Sequence, residues 1–217
     1  MNNNLTELVF ILDRSGSMGG LEKDTIGGYN SFVAKQKEES GEANLTTVLF
    51  DDKYDLLHDR ADVRQVQPLT DKEYFARGTT ALLDAIGKTI VDIGKKLEVT
   101  DTAKRPKKVL FVITTDGHEN ASEEYSAAKI KEMIQHQTDK YSWEFLFLGA
   151  NIDAIGTAKE LGINPDNAVE FLCDSEGVEL NYKVMAEQVA SFRSSKKAKM
   201  KCDWKREIVE DFEKRSS

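Results

Sequence analysis

Short apolar runs alternate along this chain with segments whose apolar residues recur every three or four positions. The runs read as strands over Glu7–Asp13, Asn44–Phe50, Lys53–His58, Lys107–Thr114, Trp143–Gly149 and Ala168–Cys173. Val109-Leu110-Phe111-Val112-Ile113 and Phe145-Leu146-Phe147-Leu148 are apolar at every position, as suits strands covered by helices on both faces. Between the runs, Leu82, Ile86, Ile90, Ile93 and Leu97 make one helical stripe. Ala127, Ile130 and Ile134 make another, and Val178, Tyr182, Met185, Val189 and Phe192 a third. Leu21, Thr25, Tyr29 and Phe32 make a weaker fourth. Asp51-Asp52 separates the second run from the third and predicts a two-residue antiparallel hairpin. The remaining order is β-α-β, which calls for right-handed crossovers. The predicted architecture is α/β: a doubly wound, mostly parallel six-stranded sheet with one antiparallel edge strand and helices on both faces.

Composition narrows the class. The chain has 217 residues, of which 40% are hydrophobic, enough for one real core. Only 3 prolines argue against long disordered stretches. A net charge of −8 disfavours a nucleic-acid surface spread over the molecule. No apolar run reaches the roughly 18 residues of a membrane-spanning helix, and no basic-then-apolar leader opens the chain. A cytoplasmic location and no membrane contact are therefore expected. Cys173 and Cys202 lack metal-type spacing and read as ordinary thiols. The last segment differs from the rest. Lys196, Lys197, Lys199, Lys201, Lys205 and Arg206 precede the acidic stretch Glu207–Glu213. The expectation is one domain over 1–193 followed by a charged, solvated helix or loosely attached tail over 194–217.

Three oxygen-rich clusters fall at strand ends or helix starts. Asp13-Arg14-Ser15-Gly16-Ser17 follows the first strand, Arg77-Gly78-Thr79-Thr80 precedes the helix striped over 82–97, and Thr114-Thr115-Asp116-Gly117 ends the fourth strand. In an open α/β sheet, ligands sit beyond the carboxyl ends of the strands, where strand order reverses. Any one cluster alone reads as a helix cap or turn before it reads as a ligand. Together they read as a cation site. Asp13 and Asp116 on one rim would repel each other unless a proton or a cation intervened. Ser15, Ser17 and Thr80 would add neutral oxygen ligands. The absence of Cys and His from these loops disfavours zinc and favours Mg²⁺, with Mn²⁺ or Ca²⁺ as alternatives.

The pattern Asp-x-Ser-x-Ser at 13–17, Gly-Thr-Thr at 78–80 and Thr-Asp-Gly at 115–117 resembles the von Willebrand factor type A (VWA) domain and its metal-ion-dependent adhesion site (MIDAS). The similarity runs from about Glu7 to about Leu161, and at most to Phe192. The resemblance implies a Rossmann-like sheet and five metal ligands: Asp13, Ser15, Ser17, Thr80 and Asp116. Family members place a pair such as Ala-Leu five and six residues after the ligand threonine. Counting back from Ala85-Ile86 selects Thr80 over Thr79. The resemblance further implies an ion with one position left for a ligand from outside, often an Asp or Glu of a partner protein. On that reading the chain is a metal-dependent interaction module and not an enzyme. Arg14, Thr79, His118 and Asn151 would line the partner-binding rim, with Arg14 exposed or serving as a second anchor for an acidic partner.

Catalytic readings fare worse. The histidines sit in no triad context, and no Gly-x-Ser-x-Gly, Gly-x-Gly-x-x-Gly or phosphate-binding Gly-x-x-x-x-Gly-Lys-Ser/Thr loop occurs. The best enzymatic rival, a Mg²⁺-dependent phosphohydrolase of the haloacid dehalogenase type, needs a second acid where this chain has Ser15. A structural domain with an unused site is the other alternative. The sequence names neither the partner nor the oligomeric state.

Overall fold

The computed structural model describes residues 1–195 and 203–216. Lys196, Lys197, Lys199, Lys201 and Cys202 of the charged segment lie outside the described residues. Six strands form one sheet: β1 (Asn2–Asp13), β2 (Glu42–Phe50), β3 (Tyr54–Asp62), β4 (Pro106–Thr115), β5 (Glu144–Ala150) and β6 (Ala168–Phe171). Their order is β3-β2-β1-β4-β5-β6. All neighbours are parallel except β2 and β3, so the antiparallel strand lies at the edge, as the hairpin reading predicts, although Phe50 pairs with Tyr54 and the connecting loop is 51–53 and not Asp51-Asp52 alone. Strand order reverses between β1 and β4, which pair directly with Leu12 opposite Thr114. The loops leaving these two strands diverge at that point.

Alternation along β1 divides the core. Leu8, Phe10 and Leu12 face α1 (Glu22–Glu38) and α5 (Ser175–Ser194). Val9 and Ile11 face α2 (Leu82–Val99), α3 (Ala127–Tyr141) and α4 (Ala154–Glu160). Phe10 meets the rings of Tyr29, Phe32 and Tyr182 at centroid separations of 5.4, 5.2 and 6.3 Å, which joins α1, α5 and the sheet. Gly28 permits this closeness, since a Cβ there would lie 2.2 Å from the Tyr182 ring. Helix α4 has seven residues and only Ala154 and Ala158 buried, too short a stripe to be read from sequence.

Several polar side chains do structural work that the apolar pattern does not reveal. Glu7, fully buried on β1, accepts from Arg60 Nε and Nη2 at 3.0 Å each and from Asn44 Nδ2 at 3.1 Å. Arg60 sits in β3 with φ of 47°, beside a register shift that lets it reach across β2. Lys108 donates to the carbonyls of Phe192 and Arg193 at 2.7 Å each and to that of Ser195, holding the end of α5. The described end of the charged segment keeps a solvated face, with Arg206, Glu207, Glu210, Glu213 and Lys214 exposed, but its apolar side is packed. Helix α6 (Arg206–Arg215) contributes Ile208, and the preceding turn contributes Trp204, to the core shared with α5. Trp204 Nε1 donates to Asp166 O at 2.9 Å.

Candidate metal centre

Asp13 ends β1 at the reversal of strand order and is fully buried. Its Oδ1 accepts from the Ser15 N–H at 2.7 Å and its Oδ2 from the Thr115 hydroxyl at 2.5 Å. The Tyr74 hydroxyl donates to its main-chain oxygen at 2.6 Å. The Ser15 and Ser17 hydroxyls lie 3.0 Å apart, and Ser17 donates to Asp116 Oδ1 at 2.6 Å. Thr80 reaches the same place from the loop before α2. A Cβ on Gly117 would stand 2.9 Å from Thr80 Oγ1, 3.2 Å from Ser17 Oγ and 3.7 Å from Ser15 Oγ. Hydroxyls from two loops thus surround one small volume on the third, and glycine at 117 keeps a side chain out of it.

The three loops are tied to one another. Asn120 Oδ1 accepts from Thr80 N–H at 2.9 Å, and Asn120 N–H donates to Thr80 O at 3.0 Å. Glu119 accepts from the N–H groups of Leu83 and Ser122 at 2.9 and 2.7 Å, which puts a carboxylate at the start of α2. Asp84 in turn accepts from the N–H groups of Glu123, Glu124 and Tyr125. On the other side, Asp51 Oδ2 accepts from Arg14 Nε at 2.9 Å and from Arg77 Nε at 2.6 Å. Arg14 and Arg77 also both pair with Asp55. Backbone bonds Arg77 N–H to Arg14 O and Gly16 N–H to Gly78 O, 2.9 and 3.1 Å, complete the joint.

Electrostatically the centre carries unbalanced negative charge. Burial pushes the Asp13 carboxyl up to about 6, against the Thr115 and Ser15 hydrogen bonds, and the nearby Asp116 charge adds to the rise. Burial also raises Asp116. Among the described residues no lysine or arginine forms an ion pair with either. Cys173 Sγ lies 3.9 Å from Asp116 Oδ2, and its thiol is pushed up to about 11 by burial and that carboxylate. Asp51 behaves oppositely: burial would raise it, but the hydrogen bonds from Arg77, Lys53 N–H and Arg14 outweigh this and hold it low.

The structure therefore brings Asp13, Ser15, Ser17, Thr80 and Asp116 together. Thr80 is buried in the cluster, whereas Thr79 is exposed. His118 and Asn151 are exposed. Arg14 departs from expectation. It is 3% exposed and not on the surface, because its guanidinium pairs with Asp51 and Asp55. Asp51, expected in a hairpin turn, is also fully buried, as the hub between two arginines. Thr115 stood in a recognised cluster without a role. Tyr74 and Asp51 had no spacing signal, since they act through the folded loops.

No protein-family profile matches this chain, and no curated protein sequence matches it. Solved structures do match its shape. A von Willebrand factor type A protein from Catenulispora acidiphila aligns at a TM-score of 0.58 with 15% identity, over 87% of this chain and 43% of that one. The fold is that of a von Willebrand factor type A domain. Proximal thread matrix protein 1 from the mussel byssus, solved with zinc occupying its MIDAS motif, aligns at 0.56 and 13% identity over 87% of this chain and 46% of its own. The pilus adhesin SpaC from Lactobacillus rhamnosus GG aligns at 0.64 and 13% identity, over 88% and 30%. This VWA-fold chain spans less than half of each of these structures. Among its described residues no helix is long and apolar enough to cross a membrane.

Proposed function

We propose that this chain is a protein-binding module that holds a divalent cation through Asp13, Ser15, Ser17, Thr80 and Asp116 and captures a partner's Asp or Glu side chain there. The observation that carries the reading is the convergence of three hydroxyls around Gly117, beside two buried carboxylates that form no ion pair among the described residues. The donors are all hard oxygens, which favours Mg²⁺, with Mn²⁺ or Ca²⁺ as alternatives. The zinc-occupied MIDAS of the mussel protein supports a divalent ion in this fold. A bound cation would offset the charge of Asp13 and Asp116 and offer a coordination position for the partner's carboxylate. Serine and threonine hydroxyls bring no formal charge, so the protein ligands at most neutralise the ion and add no excess negative charge that would repel an incoming carboxylate. Ser17, Thr79, His118 and Asn151 are exposed, and on this reading Ser17 marks the side open to that ligand and the other three line the rim the partner would meet. No catalytic role falls to these residues.

The test has two arms. Titration with Mn²⁺ should show one saturable site that Asp13→Ala removes without loss of far-ultraviolet circular dichroism. A partner captured from cells expressing the protein should be eluted by EDTA and missed by Asp13→Ala. Capture that survives both chelation and the substitution would refute the mechanism.

A further inference from the structure

At the edge of the sheet opposite Asp13, the starts of β1, β2 and β4 and the ends of α1 and α5 enclose a polar cavity of about 430 Å³. Three cations line it: Lys107, which is exposed, and Lys108 and Arg193, which are 5% and 8% exposed. Neither buried cation meets a carboxylate among the described residues. Lys108 spends its bonds on carbonyls at the end of α5, whose dipole compensates it in part. Arg193 Nη1 donates to Gln36 O and Oε1, at 2.6 and 3.1 Å, and Nη2 to Gly41 O at 3.3 Å. Its Nε–H, itself buried from solvent, has no acceptor among the described residues.

Buried positive charge without a counter-charge is costly, and these groups feel it. Burial lowers the pKa of both; Lys107 and Arg193 lower Lys108 further, while on Arg193 the Glu39 charge opposes burial and the Arg64 charge adds to it. Among the described residues Glu42 is the one acid lining the cavity, and it faces Asn2 Nδ2 at 3.4 Å. The chain continuing from Ser195 brings no relief in composition: residues 196–202 carry four lysines and no acid. Asn3, Asn4, Ser40 and Ser194 add amides and hydroxyls suited to oxyanion oxygens.

We propose that this cavity binds the phosphoryl group of a small phosphorylated molecule, held by Lys107 and Arg193 with Lys108 behind them. Its volume is in the range of small-molecule sites. A concave, polar recess suits such a ligand better than a flat bilayer or a duplex. The proposal does not depend on the cation site.

The experiment is calorimetric titration with inorganic phosphate and pyrophosphate, in EDTA, against chloride of equal ionic strength. Saturable binding in the low millimolar range or tighter is expected. Lys107→Glu, at an exposed position, should weaken it about tenfold or more, the loss of a charge-assisted contact. Arg193→Lys keeps the charge but loses the planar fork and should also weaken it. Three results would each overturn the proposal: no saturable binding by the wild type, unchanged affinity in both variants, or binding confined to heparin or anionic vesicles.

Discussion

At the scale of single residues, Asp13 carries the sharpest consequence. Its carboxyl titrates near 6 in the folded chain and near 3.8 when unfolded. The folded state therefore holds the proton more tightly, and this group's contribution to stability falls as pH rises from about 4 through 6. The difference corresponds to about 3 kcal/mol. In EDTA, Asp13→Asn should gain on the wild type by about that amount between pH 4 and pH 7.5, read from urea midpoints at each pH. An equal offset at all pH values would contradict the assignment. Added Mg²⁺ should favour the wild type alone, and most at the higher pH. Gly117 offers an independent probe. Gly117→Ala would place its methyl 2.9 Å from Thr80 Oγ1. Cation affinity should drop on the order of 10–100-fold while thermal unfolding of the cation-free protein changes little. Thr80→Ala should mimic that loss in Mn²⁺ titration, and Thr79→Ala should not.

At the scale of elements, the loop after β1 and the loop before α2 act as one unit because Asp51 bridges Arg14 and Arg77. Asp51→Ala would leave Arg14 buried with only part of its compensation, at a cost of about 3–5 kcal/mol. The same change should weaken cation binding, since it frees two of the three loops. Urea unfolding and Mn²⁺ titration measure the two effects separately. Strong destabilisation with unchanged affinity would assign Asp51 to the fold alone. This joint also marks where sequence reading stopped. Asp51-Asp52 has the composition of a turn, and a turn is what local pattern predicts. The aspartate is buried because two arginines arrive, one from the next loop at 77 and one from the previous strand end at 14, and that meeting has no period in sequence. Arg14 was misplaced on the surface for the same reason.

At the scale of the whole molecule, the chain reads as one cooperative body that includes its described C-terminal helix. Trp204 and Ile208 share a core with α1, α5 and the sheet, while Trp143 lies in the core on the other face. Trp143→Phe and Trp204→Phe each leave one tryptophan, since the chain has two. Fluorescence in the two variants should lose its native signal together with circular dichroism, each at a single midpoint. An earlier transition at Trp204 would show that α6 peels away first. Ile208→Ala should cost about 2–5 kcal/mol, by the same urea measurement.

The sequence by itself determined the strands, the helices with long apolar stripes, the antiparallel edge and the positions of the oxygen-rich loops. These depend on periodicity, burial on both faces and short-range turn chemistry, all written in neighbouring residues. The family resemblance favoured Thr80 over Thr79, and it is Thr80 that is buried beside Gly117. Only the tertiary structure decided what surrounds them. It sent Arg14 inward, buried Asp51, brought Thr115 and Tyr74 onto Asp13, and seated α6 on the core. It also gathered Lys107, Lys108 and Arg193 around one cavity. Those outcomes depend on which distant groups meet, across 26 residues of chain for Arg77 and Asp51, 102 for Thr115 and Asp13 and 157 for Arg193 and Gln36, and contacts of that range leave no repeating mark along the sequence.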